Sequence, residues 1–115
     1  MENLTIRRLG GALLLKYAGE ITLEMTADLK RRLEAELGEG EGQVRTVVID
    51  LSAVPFMDSS GIGFLVSCNT RMKSTGKAFY LYQLSPAVEK TLGLVQLLGF
   101  FSVLPDETAL TGVCE

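Results

Sequence analysis

Histidine is missing from this chain of 115 residues. Because histidine is the commonest general base and a frequent metal ligand, its absence argues against a histidine-dependent enzyme and a histidine-ligated metal site. Cysteine is scarce, with Cys68 and Cys114 far apart in the sequence. No secretory signal sequence is recognisable, so we expect two free thiols in a reducing cytoplasm.

Concentrated positive charge is also missing, since 11 basic residues face 14 acidic ones and the net charge is −3. The densest basic run, Lys30–Arg32, has acidic neighbours and is typical of a mixed helix surface. We therefore expect no direct contact with nucleic acid. No apolar run approaches the ~18 residues of a membrane span, so we expect no membrane insertion. The length predicts a single domain over residues 1–115.

The first part of the chain predicts a hairpin followed by a helix. Two apolar segments, Leu4–Arg8 and Ala12–Ala18, flank the pair Gly10-Gly11, which is a turn signal. Thr22 is a suitable N-cap for an amphipathic helix that runs to about Leu37. The polar, glycine-rich stretch 38–42 is expected to end that helix as a loop.

The remainder alternates between strand and helix patterns. The resulting order, β-β-α-β-α-β-α-β-α, predicts an α/β fold with a mixed, largely parallel sheet of about five strands and about four helices packed mainly on one side. The predicted segments are a strand at Val44–Leu51, a helix at Ser60–Lys73, a strand at Ala78–Gln83, a helix from Ser85 to near Gly93, an edge strand at Phe100–Leu104 and a helix capped by Asp106 that runs through Leu110.

The most informative stretch is Asp58-Ser59-Ser60-Gly61, which lies where a buried strand gives way to a helix. A helix N-terminus has unpaired N–H groups and a partial positive charge, so a hydroxyl there can cap the helix or carry a phosphate. Two adjacent serines allow both, with one capping and the other free. Just before them, we expect Phe56 in the core and Met57 as an adaptable contact.

Other chemistry has weaker support at this stretch. A nucleophilic elbow of the Gly-x-Ser-x-Gly type is absent, and Gly61-x-Gly63 lacks the rest of a phosphate-binding loop. The carboxylates of Glu20, Asp50 and Asp58 fall at strand ends, where they could share one rim and bind a metal, or act as solvated or capping groups. We favour the latter and predict no catalytic residue, metal, cofactor or nucleotide pocket.

Taken together, these segments resemble the bacterial anti-sigma factor antagonists of the STAS domain class, over nearly the whole chain. The specific block is Phe56–Gly63, with Met-Asp-Ser-Ser-Gly at its centre. It is accompanied in the same order and spacing by Gly19–Ile21, Val47–Ser52, Gly76-Lys77 and Leu84–Val88.

The resemblance implies partner switching. In that family the unphosphorylated antagonist binds an anti-sigma factor that is also a serine kinase, and so releases the sigma factor. Phosphorylation of the serine after the aspartate, here Ser59, separates the pair, and a serine phosphatase resets it. The resemblance places the partner-binding surface at Gly19, Glu20, Thr22, Met57, Asp58, Ser60, Gly61 and Ile62.

One position departs from the family pattern. Close relatives usually carry an acidic residue where this chain has Thr22, which leaves the identity of the partner open. STAS-like domains also serve as non-switching subunits of transport or other regulatory complexes, and that alternative is open too. The sequence leaves open whether the protein is a monomer or a weak dimer.

Overall fold

The strands form one sheet in which their order in space repeats their order in the chain. The computed structural model describes residues 3–39 and 44–114. Strand β1 pairs with β2 in antiparallel fashion, and β2 through β5 are parallel. The elements are β1 (Leu4–Leu9), β2 (Ala12–Tyr17), α1 (Leu23–Glu39), β3 (Thr46–Asp50), α2 (Ser59–Ser74), β4 (Ala78–Tyr82), α3 (Pro86–Leu94), a 3₁₀ turn (Leu98–Phe100), β5 (Val103–Leu104) and α4 (Glu107–Cys114).

This architecture confirms the predicted α/β fold, including the hairpin. Gly10 has φ of 62° in the turn between β1 and β2, a conformation that favours glycine. Strand β3 is covered on both sides, with Val47 and Val48 fully buried, as its continuous apolar run predicts.

Most of the core lies on the side of the sheet that we call the front face, against α1, α2 and α3. Strand residues such as Leu13, Val47 and Leu81 contact helix residues such as Leu33 and Leu65 there. Helix α4 packs on the opposite side, the back face, where a smaller cluster contains Leu14, Val48, Tyr82, Leu104 and Leu110. The two faces are therefore covered unequally, which agrees with helices placed mainly on one side.

Several boundaries differ from the sequence-based prediction. The predicted edge strand at Phe100–Leu104 begins only at Val103, because Phe100 belongs to the 3₁₀ turn and residues 101–102 connect that turn to the strand. Helix α1 runs to Glu39, and the rest of the predicted loop, residues 40–42, lies outside the described residues. In the described part of the chain, no helix is long and apolar enough to cross a membrane.

Both cysteines are free thiols, as predicted. Cys68 is buried in α2, and this burial raises the pKa of its thiol from 9.0 to about 12. Nearby cationic side chains of Arg71 and Lys30 lower that pKa without offsetting the burial. Cys68 therefore behaves as a small apolar core residue.

Ser85 connects helix α3 to the loop between β3 and α2. Its buried hydroxyl donates to the Val54 carbonyl at 2.6 Å and accepts from the Val88 amide at 3.2 Å. The second bond confirms Ser85 as the N-cap of α3, with Pro86 as the first helical residue. One side chain thus satisfies a helix terminus and fixes a loop that leads to the Asp58-Ser59-Ser60 stretch.

We expect Ser85→Ala to lower the free energy of unfolding by about 1–3 kcal/mol, because it removes a helix cap and leaves a buried carbonyl unpaired. Urea denaturation followed by circular dichroism measures the change. Ser102→Ala, at an exposed serine, is the matched control and should change stability by less than about 0.5 kcal/mol. Equal stabilities for the two variants would show that the Ser85 bonds contribute nothing net.

Candidate functional site

Two loops at the carboxyl end of the sheet are joined by a short parallel bridge between Ile21 and Met57. The amide of Ile21 donates to the Phe56 carbonyl at 2.9 Å, and the amide of Asp58 donates to the Ile21 carbonyl at 3.2 Å. One loop follows β2 and the other follows β3. The bridge therefore brings the Gly19–Thr22 segment beside the serines, although some 35 residues separate them in sequence.

Gly19 turns the chain out of β2 and into this bridge. Its φ is 152°, and a Cβ there would lie 3.2 Å from the Tyr17 hydroxyl. Its amide donates to the Ala53 carbonyl at 3.1 Å, which adds a second connection between the loops. As a result Glu20 is exposed and Thr22 is half-buried immediately before α1.

Asp58 caps helix α2. Its Oδ1 accepts from the amides of Ser60 at 2.9 Å and Gly61 at 3.2 Å. The expectation that one of the two serines is the cap is wrong, because the carboxylate one residue earlier already satisfies these donors. Ser59 is instead the first helical residue and Ser60 the second.

Neither serine hydroxyl is used in a hydrogen bond with any residue that the structure describes. Ser59 is exposed and Ser60 half-buried. The backbone amide of Ser59 is likewise without an acceptor among those residues, as is usual in the first turn of a helix. The Ser59 hydroxyl is therefore available to an incoming group, and the unpaired backbone amide of the same residue lies close to it.

Gly61 sets the distance between α2 and the bridge. A Cβ on this buried residue would overlap the Met57 side chain and lie 2.9 Å from Ile21 Cγ2. Only a glycine lets the first turn approach the bridge this closely. Gly61 and Met57, both predicted as partner-binding residues, thus lie beneath the surface and support the site.

The expectations for Phe56 and Met57 are reversed in the structure. Phe56 is 48% exposed, whereas Met57 is 2% exposed. In an extended segment consecutive side chains point to opposite sides, and the bridge directs Met57 into the core. The prediction that Phe56 lies in the core is therefore wrong. Phe56 is the exposed apolar side chain at this point, a role that was expected of Met57.

Leu23, which the sequence-based prediction missed, is 71% exposed at the first position of α1. It borders a shallow groove of about 200 Å³ between α1 and α2 that also contacts Lys30, Ser60 and Gly63. The sequence contained a signal for Leu23, because this apolar residue lies outside the apolar face of α1 that Leu29 and its neighbours form. Ile62, in the first turn of α2, is half-buried against the core.

Two of the three carboxylates predicted at strand ends accept hydrogen bonds from their own loops. Asp58 caps α2, and Asp50 accepts from the amide and hydroxyl of Ser52 at 2.9 and 2.7 Å, whereas Glu20 is exposed. Within residues 3–39 and 44–114, no group of three acidic, cysteine or histidine side chains is placed to hold a metal ion.

Comparison with known proteins identifies the same family as the residues do. The model of the STAS domain family matches residues 3–111. An anti-sigma factor antagonist from Mycobacterium paratuberculosis superposes with a TM-score of 0.81 at 25% identity, covering 97% of this chain and 93% of that one. The anti-sigma factor antagonist SpoIIAA in its unphosphorylated form gives 0.78 at 19% identity, with 96% and 95% covered.

SpoIIAA, called a Bacillus cell fate determinant, is also similar in its phosphorylated form, with a TM-score of 0.72 at 18% identity and coverage of 96% of this chain and 98% of that one. The murine anion transporter Slc26a9 contains a domain of the same fold, with a TM-score of 0.78 at 16% identity, covering 94% of this chain and 18% of the transporter. At such identities these likenesses show the fold alone.

We expect Gly61→Ala to destabilise the protein by about 1–3 kcal/mol, because the added methyl group forces Met57 or the helix to move. Gly63→Ala is the matched control, since it lies in the same helix with no atom within 4 Å of an added Cβ. The control should be neutral or stabilising by up to about 1 kcal/mol, the helix propensity difference. Thermal unfolding of both variants measures the difference. Identical melting temperatures would contradict the prediction that Gly61 is required for close packing of α2 on the bridge.

Proposed function

The chain belongs to the STAS domain family, and we propose that it acts in a partner-switching pathway as an anti-sigma factor antagonist. In this proposal the unphosphorylated protein binds an anti-sigma factor that is also a serine kinase, and thereby releases a sigma factor. Phosphorylation of Ser59 ends the binding. The observation that carries the proposal is the exposed, unbonded Ser59 hydroxyl at the N-terminus of α2, beside a cap that another residue provides.

A phosphate on Ser59 is compatible with the folded domain. It adds about −2 charge at a helix N-terminus, where the helix dipole and the unpaired Ser59 amide favour an anion. Because Asp58 supplies the cap, modification of Ser59 removes no native hydrogen bond among the described residues.

The same phosphate is unfavourable in a protein interface. The candidate site also displays the exposed apolar side chains of Leu23 and Phe56 and the exposed carboxylate of Glu20. A partner that covers these apolar groups must also remove water from the phosphate, and burying such a charge without a cation to pair with it is costly. A loss of about 3–4 kcal/mol weakens binding several-hundred-fold, which suffices for a switch.

The proposed partner surface combines exposed residues with a rigid support. Glu20, Thr22, Ser60 and Ile62 lie at the surface or half-buried around Ser59, and Gly19, Met57, Asp58 and Gly61 hold their loops in place. Thr22 provides no charge, so we propose that the partner kinase does not require an acidic group here. The protein itself is a regulatory binding protein and not an enzyme, acts in the cytoplasm, and is reset by a serine phosphatase.

The first test is incubation with the serine-kinase anti-sigma factor of the same organism and Mg-ATP, followed by mass spectrometric mapping. We expect one phosphate, on Ser59, that is absent from Ser59→Ala and retained in Ser60→Ala. Phosphate found on Ser60 alone would contradict the assignment of Ser59 and identify Ser60 as the modified residue. A folded protein that no such kinase modifies would favour the alternative, a non-switching subunit of a transport or other regulatory complex.

The second test measures binding to the same partner by calorimetry. Ser59→Ala should bind whether or not ATP is present, and Ser59→Asp should bind about a hundredfold or more weakly, since its charge is smaller than that of phosphate. Melting temperatures of both variants should stay within a few degrees of the wild type. Ser102→Asp, which places the same charge on an exposed serine remote from the site, is the control and should bind normally. If Ser59→Asp binds the partner as tightly as the wild type, negative charge at this position does not weaken binding and the proposed switch is contradicted.

A further inference from the structure

The back face of the sheet has an open groove where α4 leaves β2 and β3 uncovered. A cavity of about 270 Å³ lies there, and a second of about 360 Å³ adjoins it along α4. The two cavities share Arg7, Leu14, Glu107 and Leu110 in their walls. The groove is therefore continuous, with dimensions near the lower end of small-molecule sites, at ~300 Å³ and above.

Two buried polar side chains face this groove. Asp50 and Tyr82 lie opposite each other on β3 and β4, with exposures of 7% and 8%. Only Oδ1 of Asp50 has hydrogen-bond donors, both from Ser52, whereas Oδ2 and the Tyr82 hydroxyl have no partner among the residues described. In that part of the chain no side-chain oxygen or nitrogen is sealed from solvent without a partner, so both groups open into the cavity.

Charges of opposite sign lie side by side in this groove. Lys16 on β2 is the register partner of Asp50 on β3, and Arg7 on β1 lines the same cavity. Within residues 3–39 and 44–114 neither cation comes within ion-pair distance of a carboxylate. Glu107, on α4, adds a second carboxylate to the lining.

Tyr82 stays protonated in this setting. Burial raises the pKa of its phenol, and the carboxylates of Glu107, Asp50 and Asp106 raise it further. The hydroxyl is therefore a hydrogen-bond donor in the lining of the groove. Leu14 and Leu110 supply an apolar floor, and the adjoining cavity continues past Leu9 toward Cys114.

We propose that this groove binds a small zwitterion, an α-amino acid with an apolar side chain. Its ammonium group pairs with Asp50 and Glu107, its carboxylate pairs with Lys16 and Arg7, and its side chain enters the apolar cavity along α4. None of these four side chains makes an ion pair within the described residues, and a ligand that carries both signs can pair with the cations and the carboxylates together. A polyanion would pair with Lys16 and Arg7 only and would be repelled by Asp50 and Glu107.

The test uses the unphosphorylated chain without any kinase, so its outcome is independent of the proposed switch at Ser59. Leucine, methionine and phenylalanine are titrated separately while amide chemical shifts are recorded by NMR. We expect saturable shifts confined to β1–β4 and α4 for at least one of them. Two fragments of leucine serve as controls: 4-methylpentanoate lacks the ammonium group, and 3-methylbutylamine lacks the carboxylate. Each should bind at least about tenfold more weakly than leucine, since each leaves either the two cations or the two carboxylates without a partner.

The matched variants are Lys16→Gln in the groove and Lys30→Gln on α1, both at exposed lysines. Lys16→Gln should weaken amino-acid binding about tenfold, and Lys30→Gln should leave it unchanged. Because Asp50 also orders Ser52, the test relies on Lys16 and not on Asp50→Asn. The proposal is overturned if none of the three amino acids gives saturable shifts, if 4-methylpentanoate binds as well as leucine, or if both lysine variants behave alike.

Discussion

The first turn of α2 lies so close to the Ile21–Met57 bridge that only a glycine fits between them, and the geometry of the candidate site depends on this contact. Gly61 removes the side chain that would push the helix away, and Met57 fills the space beneath it. The bridge in turn joins the loops after β2 and β3 by main-chain hydrogen bonds. Ser59 is therefore placed by backbone packing and by the Asp58 cap, while its own side chain remains free. A regulatory serine that took part in the support would disturb the fold when modified.

The unequal covering of the sheet divides the molecule into two regions with different physical character. On the front face three helices bury the central strands, and their N-terminal ends meet the loops that display Ser59. On the back face one short helix leaves polar ends of β2, β3 and β4 accessible, including Lys16 and Asp50. The proposed switch uses a flat surface with apolar side chains, suited to a protein partner. The proposed amino-acid site uses a concave one with opposed charges, so that the two could operate without sharing a residue.

Periodicity and turn residues predicted the order of strands and helices because each signal is local to its segment. The position of the Asp58-Ser59-Ser60 stretch at a strand-to-helix junction followed from the same reasoning. Details that depend on neighbours in space were missed. The cap at Asp58 competes with two serines of similar propensity, and the inward turn of Met57 depends on a bridge to Ile21, distant in sequence. The back-face groove depends on the register between β2 and β3, which places Lys16 across from Asp50. That register cannot be predicted from the sequence of either strand alone.

Both outer edges of the sheet are poorly suited to receive another strand. At one edge β5 is two residues long and is followed by Pro105, which has no N–H to donate. At the other edge β1 carries the consecutive exposed cations Arg7 and Arg8, and charged side chains on an edge strand disfavour pairing with another chain. Edge-to-edge pairing, the common route to fibrous association of sheet proteins, is thus disfavoured at each end. The proposed partner surface consists of helix ends and loops, so the proposed exchange of partners does not depend on strand pairing.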